Sequence, residues 1–142
     1  MTFKQWNAVI MLAGVVAIAI WLIADITGGA AQAGVAAVAT RLLWAGLIMI
    51  GFNIAAAIGT AIVGSIVTRE EFKDERADER DKAVYAKSMR NAYFVVSVGG
   101  IATLLLLALG TNPVAAAYAV FISGLLAGGA GALSQLVYYR IG

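Results

Sequence analysis

Seven carboxylates, Glu70, Glu71, Asp74, Glu75, Asp78, Glu79 and Asp81, fall within twelve consecutive positions. Clustered carboxylates do two kinds of chemistry. They hold a divalent cation, or they move protons once burial or a neighbour has shifted their pKa values. Neither suits this cluster. Arg69, Lys73, Arg76, Arg80 and Lys82 are threaded through it and compete for the same oxygens, and the ligand spacing of an EF-hand loop is missing. So charged a run has nothing to desolvate its acids or shift their pKa values. The chain has no His and no Cys. That removes imidazole bases, thiol nucleophiles, disulfides and the commonest zinc ligands together. Nucleophile–base pairs, phosphate-binding loops and dinucleotide fingerprints are missing as well. The residue types point away from an enzyme and call for no cofactor or metal.

The placement of the charge says more than its chemistry. Fourteen of the eighteen charged residues lie between Thr68 and Tyr93, and the flanking sequence is almost wholly apolar. Of the 142 residues, 62% are hydrophobic and 13% charged, and the mean hydropathy is +0.90. Soluble domains are about 45–50% apolar and about 25% charged. This chain has too few polar residues to cover a water-facing surface, so lipid must take the place of water around it. A net charge of +2 with acids and bases interleaved offers no surface for nucleic acid.

Four apolar runs are long enough to cross a bilayer. They are Trp6 to Ala24, Leu42 to Val67, Ala92 to Leu109 and Val114 to Val137, with the charged segment 68–91 between the second and third. The whole chain, 1–142, reads as a single membrane domain. Lys4 before the first run and "AQA" at Ala31–Ala33 resemble a cleaved signal, but the run is long for one and reads as a retained span. Alternation of the β type is missing, so the expected fold is all-α, a membrane four-helix bundle. The short "GTNP" turn at Gly110–Pro113 predicts a tight hairpin of spans three and four. Pro113 suits the first position of a helix, where a missing N–H costs nothing.

Four spans place both termini and the charged segment on one side. That side carries nine Lys/Arg residues, and the other carries Arg41 alone. The positive-inside rule then predicts termini in the cytoplasm and a multi-pass protein of the cytoplasmic (inner) membrane. Trp6, Trp21, Trp44, Tyr93, Tyr118, Tyr138 and Tyr139 lie near span ends, as interfacial anchors should.

No Gly or Pro occurs from Ser65 to Val98, and most residues there are good helix formers. On a helical wheel the acids of this stretch gather on one face. Arg69, Lys73, Arg76, Arg80 and Lys87 form a strip beside them, and only Lys82 and Arg90 fall outside it. The chain must reverse between the two spans, and Lys73–Asp78 is the expected break. Asp78 suits an N-cap, with Asp81 at the third helical position and Lys82 able to pair with Asp78 one turn on. The two charged extensions of helices two and three are then expected to stand side by side. This segment admits three readings: a solvated hairpin that sets topology, a docking surface for a partner or a second copy, and a cation site.

At depth the spans carry no charge, and polar residues there are few: Asn53, Thr60, Ser97, Thr103, Ser123, Ser134 and Gln135. Intramembrane charge is the usual mark of a transport or relay site. Asn53 is the most central strong hydrogen-bonding group and is expected to bond a neighbouring helix. Gly51, Ala55, Gly59 and Val63 form one small-residue strip, and Gly124, Gly128 and Ala132 form another. Strips of this kind let helix backbones approach closely, within one chain or between two.

The run Asp78-Glu79-Arg80-Asp81, followed by Lys87, Arg90, Asn91, Ala92 and Tyr93, resembles a signature of a family of small bacterial inner-membrane proteins. These have about four spans and a "DERD…K…R.AY" stretch leading into one of them, and most are functionally uncharacterised. The resemblance covers roughly sixteen residues plus the topology. It implies a bacterial cytoplasmic membrane and transfers no catalytic or binding role. A physical account is that Lys87 and Arg90 reach anionic head groups while Asp78 caps the helix.

The expected function is non-enzymatic: a membrane scaffold, accessory or regulatory protein, expected as a homodimer, that presents the charged hairpin to a partner. Asp78, Arg76, Arg80, Lys87 and Arg90 are the candidate partner- or lipid-facing residues. Asn53, Gly51, Gly59, Gly124 and Gly128 are the candidate packing residues. One alternative is a small oligomeric transporter or channel lined by Asn53, Thr60 and Ser97. The other is a lipid-interacting structural protein.

Overall fold

A computed structural model describes residues 3–68 and 79–141. The charged positions 69–78, with the candidates Arg76 and Asp78 and the expected chain reversal, lie outside the described residues. The described chain is all-α. Its helices are α1 (Phe3–Thr27), α2 (Val35–Thr68), α3 (Glu79–Ala108) and α4 (Pro113–Ile141), with one 3-10 turn at Ala30–Gln32 between α1 and α2. All four are long and apolar enough to cross a membrane. Thirty residues of helix span about 45 Å, more than the ~30 Å of hydrocarbon, so α3 has length to spare beyond the lipid core.

The helix ends follow from local chemistry. α1 stops at Gly28-Gly29, and Gly29 takes φ 84° to start the 3-10 turn. α3 ends in a Schellman motif around Gly110, at φ 70°. There the Thr111 N–H reaches the Leu106 carbonyl at 3.1 Å and the Gly110 N–H reaches that of Leu107 at 3.0 Å. Asn112 then caps α4, its Oδ1 accepting from the Val114 N–H at 3.0 Å, with Pro113 as the first helical residue. The described part of α3 begins at Glu79, and the expected cap, Asp78, lies outside the described residues. α2 begins at Val35, about two turns before the apolar run expected from Leu42. Charge on Arg41 limits hydropathy but does not stop a helix, and the alanines before it favour one.

α4 is the centre of the fold. α3 packs along its length, and α1 and α2 pack on its other side; among the described residues α2 and α3 share no substantial interface. The bundle is therefore open. Leu22, Val38, Leu42, Val114 and Tyr118 form a buried cluster where α1, α2 and α4 meet near the interhelical turns. The second half of α2 leaves this cluster, and Leu47, Ile50, Ile54, Ile58 and Ile62 are exposed. An open apolar surface of this extent agrees with lipid as the surrounding solvent.

Candidate functional site

Polar side chains gather at two levels, one at each end of the helices. At the turn end, Asp25 closes α1 and Arg41 lies within the first two turns of α2. Arg41 Nη1 donates to Asp25 Oδ1 at 3.2 Å, and Nη2 donates to the Ala30 carbonyl of the 3-10 turn at 2.9 Å. The Tyr118 hydroxyl of α4 donates to the other carboxylate oxygen at 2.9 Å. The Asp25 side chain is 9% exposed and that of Arg41 39%. One carboxylate thus fastens three helices and the turn between two of them. A charge this buried must be paired and hydrogen-bonded, and this one is both.

At the other end lie the first turns of α1 and α3 and the last turns of α4, because α4 runs antiparallel to both. There the first turns of α3 lie on the last turns of α4. Asn91 Nδ2 donates to Ser134 Oγ at 2.9 Å and to the Tyr138 hydroxyl at 3.2 Å. The Tyr139 hydroxyl donates to Asp81 at 2.8 Å. Arg80 reaches the Tyr139 carbonyl at 3.4 Å. The Lys87 ammonium lies 5.8 Å from the Tyr138 ring centroid, within cation–π range. Between these contacts Ser88 is wholly buried, its hydroxyl bonded to the Val84 carbonyl of its own helix at 2.8 Å. Gly131 of α4 faces Ala92 of α3 here. A Cβ on Gly131 would sit 3.5 Å from the Ala92 Cβ.

These contacts give the described part of the charged stretch, residues 79–93, a structural role. Arg80, Asp81, Lys87, Asn91 and Ala92 are the residues through which α3 grips α4. Asn91 and Ser134 set the depth at which polar groups end on both helices, with apolar sequence beyond each. Among the described residues, the charged arm of α3 meets α4; the charged extension of helix two expected beside it lies outside them. Lys82, Tyr85, Met89, Arg90 and Tyr93 are exposed.

Three tyrosines expected as lipid-facing anchors have other roles. Tyr118 is buried at 7% exposure and binds Asp25, and Tyr138 and Tyr139 join α4 to α3. Position near a span end does not say which side of the helix a residue occupies. Trp6, Trp44 and Tyr93 are exposed, as anchors are. The link from Tyr118 to Asp25 spans 93 residues, and only the charge on Asp25 hinted that some donor would be needed there.

The packing candidates divide. A Cβ on Gly128 would touch Met11 at 3.4 Å, so this glycine seats α1 on α4. Gly51, Gly59 and Gly124 have open space in that direction. Asn53 lies beside Gly14 of α1 but donates to the Met49 carbonyl of its own helix at 2.8 Å, where a bond to a neighbouring helix was expected. Thr60 likewise bonds back to Ala56 and Ala57. A hydroxyl or amide in lipid finds its nearest free acceptor one turn back on its own helix. Among the described residues, no three acidic side chains converge as a metal site needs.

Comparison with known protein families, characterised proteins and solved structures finds no match to this chain. Its functional meaning therefore rests on its own residues and their geometry.

Proposed function

We propose that this chain is a non-enzymatic scaffold or accessory protein of a bacterial cytoplasmic membrane. In this reading it holds segment 68–91 and both termini in the cytoplasm and presents the charged arm to a protein partner. The observation that carries the reading is the docking of the α3 arm on α4. Asp81, Arg80 and Asn91 are turned inward to Tyr139, Ser134 and Tyr138. Lys82, Tyr85 and Met89 are left on an ordered, outward helix face. A helix held in advance loses little conformational freedom when a partner binds. The nine-to-one bias of Lys and Arg supports the cytoplasmic orientation. The lack of His, Cys and charge at depth supports a role without catalysis.

A photo-crosslinking residue at Tyr85 in native membranes tests this. The expected result is one defined protein adduct that is lost on Lys82→Glu and not formed from a crosslinker at the lipid-facing Leu104. Lipid adducts alone from both positions would overturn the reading.

A further inference from the structure

We propose that the seam between α3 and α4 holds one anionic phospholipid, with its head group at Lys87 and Arg90 and an acyl chain in the furrow beyond them. The furrow has a volume of about 470 Å³. Phe94 and Val98 of α3 and Ile122 and Leu126 of α4 form its walls, Gly99 and Ser123 lie in its floor, and Ala102 leaves the space above them. From Phe94 to Ala102 the helix rises about 12 Å, a useful fraction of one leaflet. The one hydroxyl in its lining, on Ser123, is turned to the Val120 carbonyl at 2.8 Å, so an alkyl chain meets no unpaired polar group there.

The cations stand where a head group would be. Arg90 lies one turn from Phe94, and Lys87 one turn from Arg90, all on one side of α3. Asn91 and Ser134 place the edge of the apolar region at this level. Lys87 is steadied over the Tyr138 ring, and Arg90 is exposed. Basic side chains at the mouth of an apolar seam between helices have the charge and depth to bind a phosphate head group whose chain enters the seam. The second furrow, between α2 and α4, is of similar size, about 440 Å³. The basic residue beside it in sequence, Arg41, is occupied by Asp25 and Ala30, so the charge complementarity belongs to the α3–α4 seam alone of the two. This assignment is independent of the protein-partner reading, which concerns Lys82, Tyr85 and Met89 on another side of α3.

Native mass spectrometry of the full chain in a non-denaturing detergent tests it, with added palmitoyl-oleoyl phosphatidylglycerol or the matching phosphatidylcholine. One phosphatidylglycerol should be retained at a concentration at least about ten-fold below that needed for phosphatidylcholine. Lys87→Gln with Arg90→Gln should erase that preference. Ala102→Leu, which fills the furrow at an exposed position, should weaken both lipids. Lys82→Gln should change neither. Equal retention of the two lipids by the wild type would overturn the proposal. So would a preference that survives the double variant, or one lost equally in Lys82→Gln, which would mark diffuse charge and not a site.

Discussion

Gly99 of α3 and Ser123 of α4 occupy one another's space: a Cβ on Gly99 would overlap that of Ser123 and lie 3.2 Å from its Cα. The closest approach of the two helices is thus set by a missing methyl group. Overpacking of this kind costs about 1–3 kcal/mol, and the obstacle here includes backbone, which cannot swing aside. Gly99→Ala should lower stability in mixed-micelle unfolding by about 2 kcal/mol. Adding Ser123→Gly to that variant should recover most of the loss, since it removes the atoms the new methyl meets.

Asn91 gives a contrasting magnitude. Its two hydrogen bonds to Ser134 and Tyr138 join the same helices, but interhelical bonds in membranes average only about 0.6 kcal/mol each. Asn91→Ala should therefore cost about 1 kcal/mol by the same unfolding measurement, roughly half the effect of Gly99→Ala. The difference between the two variants would measure how much close backbone approach adds to the polar contacts that join α3 to α4.

The Asp25 cluster should respond asymmetrically. Removing Arg41 leaves a carboxylate that is 9% exposed facing only Tyr118, and takes one of two donors from the Ala30 carbonyl, which keeps the Ala33 N–H. Removing the carboxylate leaves an arginine that is 39% exposed and can turn to water or head groups. Arg41→Ala is expected to destabilise more than Asp25→Asn. The double variant should cost clearly less than the sum, because the two groups share one interaction. Tyr118→Phe, which loses one bond to a charged acceptor, should cost about 1.5–3 kcal/mol.

Orientation can be read with single cysteines, because the chain has none of its own. Ala31→Cys, in the turn between α1 and α2, should react with a membrane-impermeant maleimide from outside intact cells. Lys82→Cys should react only after permeabilisation. The reverse pattern would place the charged arm outside and remove the cytoplasmic reading.

Gly51 and Gly59 have nothing within 4 Å in the direction a side chain would take. Gly51→Leu with Gly59→Leu should leave unfolding unchanged, or raise stability slightly through helix propensity. If the homodimer expected from the sequence uses that strip, native mass spectrometry should show the same variant shifting from two copies to one. An unchanged dimer would place the contact elsewhere.

Membrane character, four long helices, a short α3–α4 turn and a charged end distinct from a turn end were all determined by sequence. Each rests on a property that adds up along the chain: hydropathy over a run of residues, Gly110 and Pro113 as punctuation, charge gathered between Thr68 and Tyr93. Tertiary structure alone decided that α4 is central, that the described parts of α2 and α3 stay apart, and that Tyr118 turns inward to Asp25. In a chain with apolar residues on every side, hydropathy has no direction, so it cannot tell a face that meets lipid from one that meets a helix. What chooses the face is the fit of one helix on another, as of Gly99 on Ser123, and that fit exists only once two helices lie together.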